Sequence, residues 1–102
     1  MKQKINKEIA TKLIFEGIKD YNTQVNKKNQ LPISIELELF SENGVLDSLG
    51  LVNLIMSIEE QFEDYLDTSI VIADEKAMSQ KNSPFQSVQS MADYLSKELQ
   101  NI

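Results

Sequence analysis

The chain opens on an apolar stripe at helical spacing. Ile5, Ile9 and Leu13 step by four, and Ile14, Ile18 and Tyr21 continue on the adjoining face, which predicts a helix over 3–20. Phe15 falls off this stripe. The polar run YNTQVNKKNQLP over 21–32 ends in Pro32, so the helix cannot run on. Residues 33–40, ISIELELF, then alternate apolar and polar at period two through Ile33, Ile35, Leu37 and Leu39. Only SIVI at 69–72 resembles them, which is too little for a sheet. Both are expected as extended loop pieces that press alternate side chains onto a helical core. Asn43-Gly44 marks a turn and closes a long first connection, from about 22 to 47, of a length that is usually functional.

The strongest periodicity lies over 48–65. Leu51, Leu54, Ile55, Ile58, Phe62 and Tyr65 cluster on one side of a helical wheel, with Asn53, Ser57, Glu60 and Asp64 opposite. Asp74 can cap a short helix at 74–80, Ser83-Pro84 opens a turn, and Ser87 can cap a last helix at 88–100. In that last helix Val88, Met91, Leu95, Leu99 and Ile102 recur at spacings of three and four. The expected class is all-α: a four-helix bundle of three longer helices and a short third one. At 102 residues it forms a single domain, 1–102.

The helix at 48–65 carries a second stripe. Leu49, Val52 and Met56 lie well away from the core face, beginning beside Ser48 and running towards Glu59, Glu60 and Glu63. An apolar stripe that ends in carboxylates suits a docking surface, apolar contact giving affinity and charge giving orientation. Burial under a loop is the alternative. Ser48 stands at the head of this helix, where its hydroxyl can cap the first turn. An anion attached to it would lie in the favourable field of a helix N-terminus, worth about 0.3–1 kcal/mol.

Composition narrows the chemistry. The chain has no Cys, His or Trp, and its ten basic residues are all Lys. Thiolate nucleophiles, disulfides and imidazole-dependent triads or zinc sites are therefore excluded. Glu59 and Glu60, adjacent on a solvated helix end, do not make a desolvated acid pair, and the acids at 59–67 lack the spacing of a calcium loop. No catalytic residues and no metal site are expected. The net charge of -6 is uneven: residues 1–30 hold seven Lys against Glu8, Glu16 and Asp20, a balance of +4, whereas 31–102 hold three Lys against thirteen acids, a balance of -10. An acidic surface repels nucleic acid and anionic lipid and attracts basic protein partners. Residues 1–15 contain no apolar run of signal-peptide length, and no stretch approaches the roughly 18 apolar residues of a membrane span, so a cytoplasmic monomer is expected.

The segment LDSLGLVNLIMSIEEQF resembles the centre of the acyl carrier protein family. The resemblance rests on Asp47, Ser48 and Leu49 at the helix start, on Val52, Leu54 and Ile58 behind them, and on Glu59, Glu60 and Phe62 at the end. It extends more loosely from Leu39-Phe40 to the run Met91-Ala92-Asp93-Tyr94-Leu95. Such a resemblance implies the family's fold, a four-helix bundle with a short third helix. It implies that Ser48 is esterified with 4'-phosphopantetheine from coenzyme A by a phosphopantetheinyl transferase. The thiol of that arm would carry acyl or aminoacyl groups as thioesters between acyl-activating, acyl-transferring or condensing enzymes. The chain would be their substrate and shuttle rather than an enzyme. Asp47, Leu49, Val52, Met56, Glu59 and Glu60 match the positions that family members present to basic-rimmed partners. Leu54, Ile58, Phe62, Ala77, Met91 and Leu95 are the candidate lining of a cleft for an apolar chain. Gly50 and Asn53 replace the acidic residues usual in carriers of fatty acid synthesis, the connection from Glu63 to Phe85 is longer, and ENGVLDSLGLV is also similar to the small D-alanyl carriers. These departures imply a dedicated carrier for one pathway. The alternatives are an aminoacyl carrier or an acidic helical interaction module.

Overall fold

The computed structural model describes residues 5–40, 46–72 and 84–99. Among them are three α-helices, α1 (Lys7–Asn22), α2 (Ser48–Leu66) and α3 (Val88–Glu98), two single 3-10 turns at Lys27–Asn29 and Pro84–Gln86, and no strand. The expected turn at Asn43-Gly44, the helix at 74–80 with its cap Asp74, Ala77 and Ile102 lie outside the described residues.

Helix α1 starts later than its apolar stripe. Asn6 is its cap, the Oδ1 atom accepting the Ile9 N–H at 2.8 Å. Ile5 precedes that cap and is nonetheless buried, as Ala10 is one turn on, a placement that fixes the angle of entry. Ala10, Leu13, Ile14, Gly17, Ile18 and Tyr21 bury the inner face, while Phe15 packs half-buried at its edge. Where α1 meets α2 the approach is close enough to require Gly17. A Cβ there would come within 2.5 Å of Ile58 Cγ1 and 2.9 Å of Ile58 Cα. Helix α3 packs against α1, and Lys7 pairs with Asp93 at 3.0 Å across that junction.

The alternating segment 33–40 forms a clasp rather than a row of core side chains. Leu39 and Phe40 are buried and Leu37 half-buried, but Ile33 and Ile35 are exposed. A turn in which the Leu37 N–H donates to the Ser34 carbonyl breaks the alternation between the two pairs. The backbone beyond it serves α3. The first-turn N–H groups of Val88 and Gln89, which no helical carbonyl can reach, donate to the carbonyls of Leu37 and Ile35 at 3.0 and 3.1 Å. Ser87 caps the same end reciprocally with Ser90, as its position suggests.

The other extended piece keeps its alternation. Ile70 and Ile72 are buried and Val71 is 82% exposed. With no strand alongside among the described residues, their backbone donors take side-chain acceptors. Glu63 Oε2 takes the Ile70 N–H at 2.9 Å, and Glu59 Oε2 takes the Ile72 N–H at 2.6 Å. Among the described residues, no helix is long and apolar enough to cross a membrane.

Candidate functional site

The head of α2 is built by Asp47, not by Ser48. Asp47 has extended backbone geometry, its carboxylate accepts the Gly50 N–H at 2.8 Å, and its carbonyl accepts the Leu51 N–H at 2.9 Å. Ser48 is the first helical residue. The capping role open to it in the sequence is filled by its neighbour, because Asp and Ser serve equally well and the extended residue takes the role. Gly50 suits this arrangement: a Cβ would lie 3.2 Å from Asp47 Oδ1 and 3.2 Å from Leu46 Cδ2, pressing on the cap and on the chain leading into it.

The second stripe faces solvent. Leu49 is 70% exposed, Met56 60% and Val52 36%. The acids at its far end divide into two groups. Glu60 and Asp64 are exposed, whereas Glu59 and Glu63 are half-buried and turned to the backbone of 70–72. This corrects the reading of Glu59 as an exposed docking acid, since an N–H beside a buried isoleucine needs an acceptor and Glu59 supplies it.

The candidate cleft residues Leu54, Ile58, Phe62, Met91 and Leu95 are all fully buried in the one hydrophobic core, where the helices that bear them, α2 and α3, both pack on α1. The structure closes them to solvent, and Ala77 lies outside the described residues. Among the described residues no group of acidic side chains is placed to hold a metal ion.

Two open hollows along α2 were not foreseen. The first, about 470 Å³, lies where the end of α1 and its following loop meet the head of α2. Tyr21, Val25, Leu31 and Leu46 give it apolar walls, with Lys28, Asp47 and Gly50 as the polar and open part. The second, about 240 Å³, is bordered by Gln24, Asn53, Met56, Ser57 and Glu60. Ser57 departs most from expectation. Placed opposite the core by its periodicity, it is only 4% exposed, and its hydroxyl has no hydrogen-bond partner among the described residues. The signal available in the sequence was weak: a Ser on a polar arc, next to Met56 and one turn from Asn53.

The head of α2 thus combines an aspartate cap, an exposed helix face and a neighbouring hollow with Lys28 on its border. The hollow offers both a cation and apolar walls. No protein-family model matches the chain, and neither the curated proteins nor the solved structures give a match.

Proposed function

We propose that the chain is an acyl carrier protein, bearing 4'-phosphopantetheine on Ser48 and delivering acyl or aminoacyl groups in a dedicated pathway. The observation that carries this reading is the division of roles at the head of α2. Asp47 caps the helix, Ser48 is its first residue, and the exposed stripe of Leu49, Val52 and Met56 follows directly. In the attachment, the Ser48 oxygen bonds to phosphorus, 3',5'-ADP leaves coenzyme A, and the hydroxyl proton passes to a base of the transferase. The bound arm supplies the thiol that the Cys-free chain lacks. Asp47 holds the first turn in place, the stripe gives a partner apolar contact, and Glu60 with Asp64 offers charge to a basic rim. A short helix at 74–80, between Ile72 and Phe85, would complete the four-helix bundle of that family.

Intact mass after coexpression with a broad-specificity phosphopantetheinyl transferase tests the proposal. A gain of one phosphopantetheinyl group, abolished by Ser48→Ala, is expected. An unmodified parent, or a Ser48→Ala chain that is still modified, overturns it.

A further inference from the structure

The two hollows belong to one helix face. Gly50, Asn53, Ser57 and Glu60 follow at spacings of three, four and three, so both hollows open along the same side of α2, on successive turns. The end of α1 and its turn border both, through Tyr21 at the first and Gln24 at the second. The furrow starts in the turn of Ser48 itself. Ser57 lies nine positions beyond Ser48, about 14 Å along the axis.

The chemistry changes along this path. Near Ser48 it offers Lys28 beside the capping Asp47, with apolar walls. Further on it offers two amide side chains, Gln24 and Asn53, and Ser57, a residue only 4% exposed whose hydroxyl lacks a partner among the described residues. A helical Ser commonly bonds back to the carbonyl four residues earlier, and Ser57 does not do so. A buried hydroxyl left in this state is costly unless something brings it a hydrogen bond.

On the carrier reading of Ser48, we infer that the attached arm rests along this α1–α2 furrow rather than projecting free or entering the buried core. The phosphodiester lies on the Lys28 side, the branched methyl groups lie against Val25 and Leu46, and the amides are met by Asn53 and Ser57. The first hollow holds a cation and apolar walls and the second holds amide and hydroxyl groups, which suits the anionic and branched part of the arm near Ser48 and its amides further on. The second hollow is polar and small, so it holds the arm's amide portion and not a long alkyl chain.

The experiment compares ¹⁵N-labelled apo and holo protein by NMR, with intact mass reporting the modification on the same samples. Resonance shifts on modification are expected at Val25, Lys28 and Gly50, at Ser57, and at the side-chain amides of Gln24 and Asn53. In holo Ser57→Ala the shifts at Asn53 and Gln24 should be lost while those at Gly50 remain. Asn53→Ala, at an exposed position, provides a second variant with the same expectation at Ser57. Holo protein with shifts confined to 47–50, or with shifts at Met91, Ala92 and Leu95 instead, overturns the furrow and leaves the carrier reading standing. Absence of any mass gain overturns both.

Discussion

Asn22 holds both backbone groups of Leu31. Its Oδ1 accepts the Leu31 N–H at 2.8 Å and its Nδ2 donates to the Leu31 carbonyl at 2.9 Å, while Gln30 Nε2 returns to the Asn22 carbonyl at 3.1 Å. The last residue of α1 thus draws the polar loop back on itself and buries Leu31 against the helix that loop has just left. Val25 and Lys28, which border the first hollow, lie inside the segment this amide closes.

Asn22→Ala should therefore cost more than an ordinary surface substitution. Two partly buried backbone groups lose their partner, at about 1–3 kcal/mol for leaving them unsatisfied. A lowered denaturant midpoint with unchanged m-value, together with faster hydrogen exchange at the Leu31 amide, is the expected result. Asn22→Asp keeps the acceptor and loses the donor, so its loss should be smaller. Equal midpoints for parent and Asn22→Ala would show that the loop is held by Leu31 burial alone.

Gly17 gives a sharper test of the α1–α2 contact. A methyl group there meets Ile58 at its side chain and at its Cα, and the backbone of a helix cannot yield as a side-chain tip can. Gly17→Ala gains helix propensity of about 0.8–1 kcal/mol yet should still lower stability, since overpacking costs typically 1–3 kcal/mol and backbone is one of the obstacles here. Thermal unfolding should show a lower midpoint. A rise in midpoint would mean that the helices separate freely at this crossing.

Much of this architecture was legible because it rests on periodicity. The inner faces of α1, α2 and α3 follow from Ile14 and Ile18, Leu54 and Ile58, and Met91 and Leu95, all buried as their spacing requires. What escaped depends on contacts between distant residues. Period-two alternation cannot tell Ile33 and Ile35 from Leu37 and Leu39, because the turn at Ser34 that separates them is a backbone event. Ser57 looks like any polar residue on an outer arc until the end of α1 is brought alongside. Glu59 and Glu63 look like surface charge until the unpaired N–H groups of Ile70 and Ile72 arrive beneath them.

The head of α2 separates stability from modification. Asp47 carries the cap, so Asp47→Ala should cost about 1 kcal/mol of stability. Ser48 is the first helical residue after that cap, and Ser48→Ala should fall within about 0.5 kcal/mol of the parent. Circular dichroism melts of the two variants read the difference directly. The carrier reading adds that Ser48→Ala, the stable variant, is the one that loses the phosphopantetheinyl mass. A melt in which Ser48→Ala loses as much as Asp47→Ala would return the capping role to Ser48.

Docking should divide along the line the structure draws between Glu59 and Glu60. Glu60 is exposed beside Met56, so Glu60→Lys should slow association with a basic-rimmed phosphopantetheinyl transferase. The effect should fade as salt rises, because exposed charges are screened over roughly 8 Å at physiological ionic strength. Glu59 holds the Ile72 N–H at 2.6 Å, so Glu59→Lys should act first on stability. It removes the acceptor from a partly buried donor, a loss of about 1–3 kcal/mol, and frees the turn that buries Ile70 and Ile72. Met56→Ala removes apolar contact from the stripe without touching the core, so it should weaken the same association at low and high salt alike. Modification rates across a salt series, with melting curves on each variant, distinguish the three. If Glu60→Lys and Met56→Ala both leave the rate unchanged at low salt while Glu59→Lys slows it without loss of stability, the acidic contact is made by Glu59 after all. The Ile72 bond would then be one that a partner can displace.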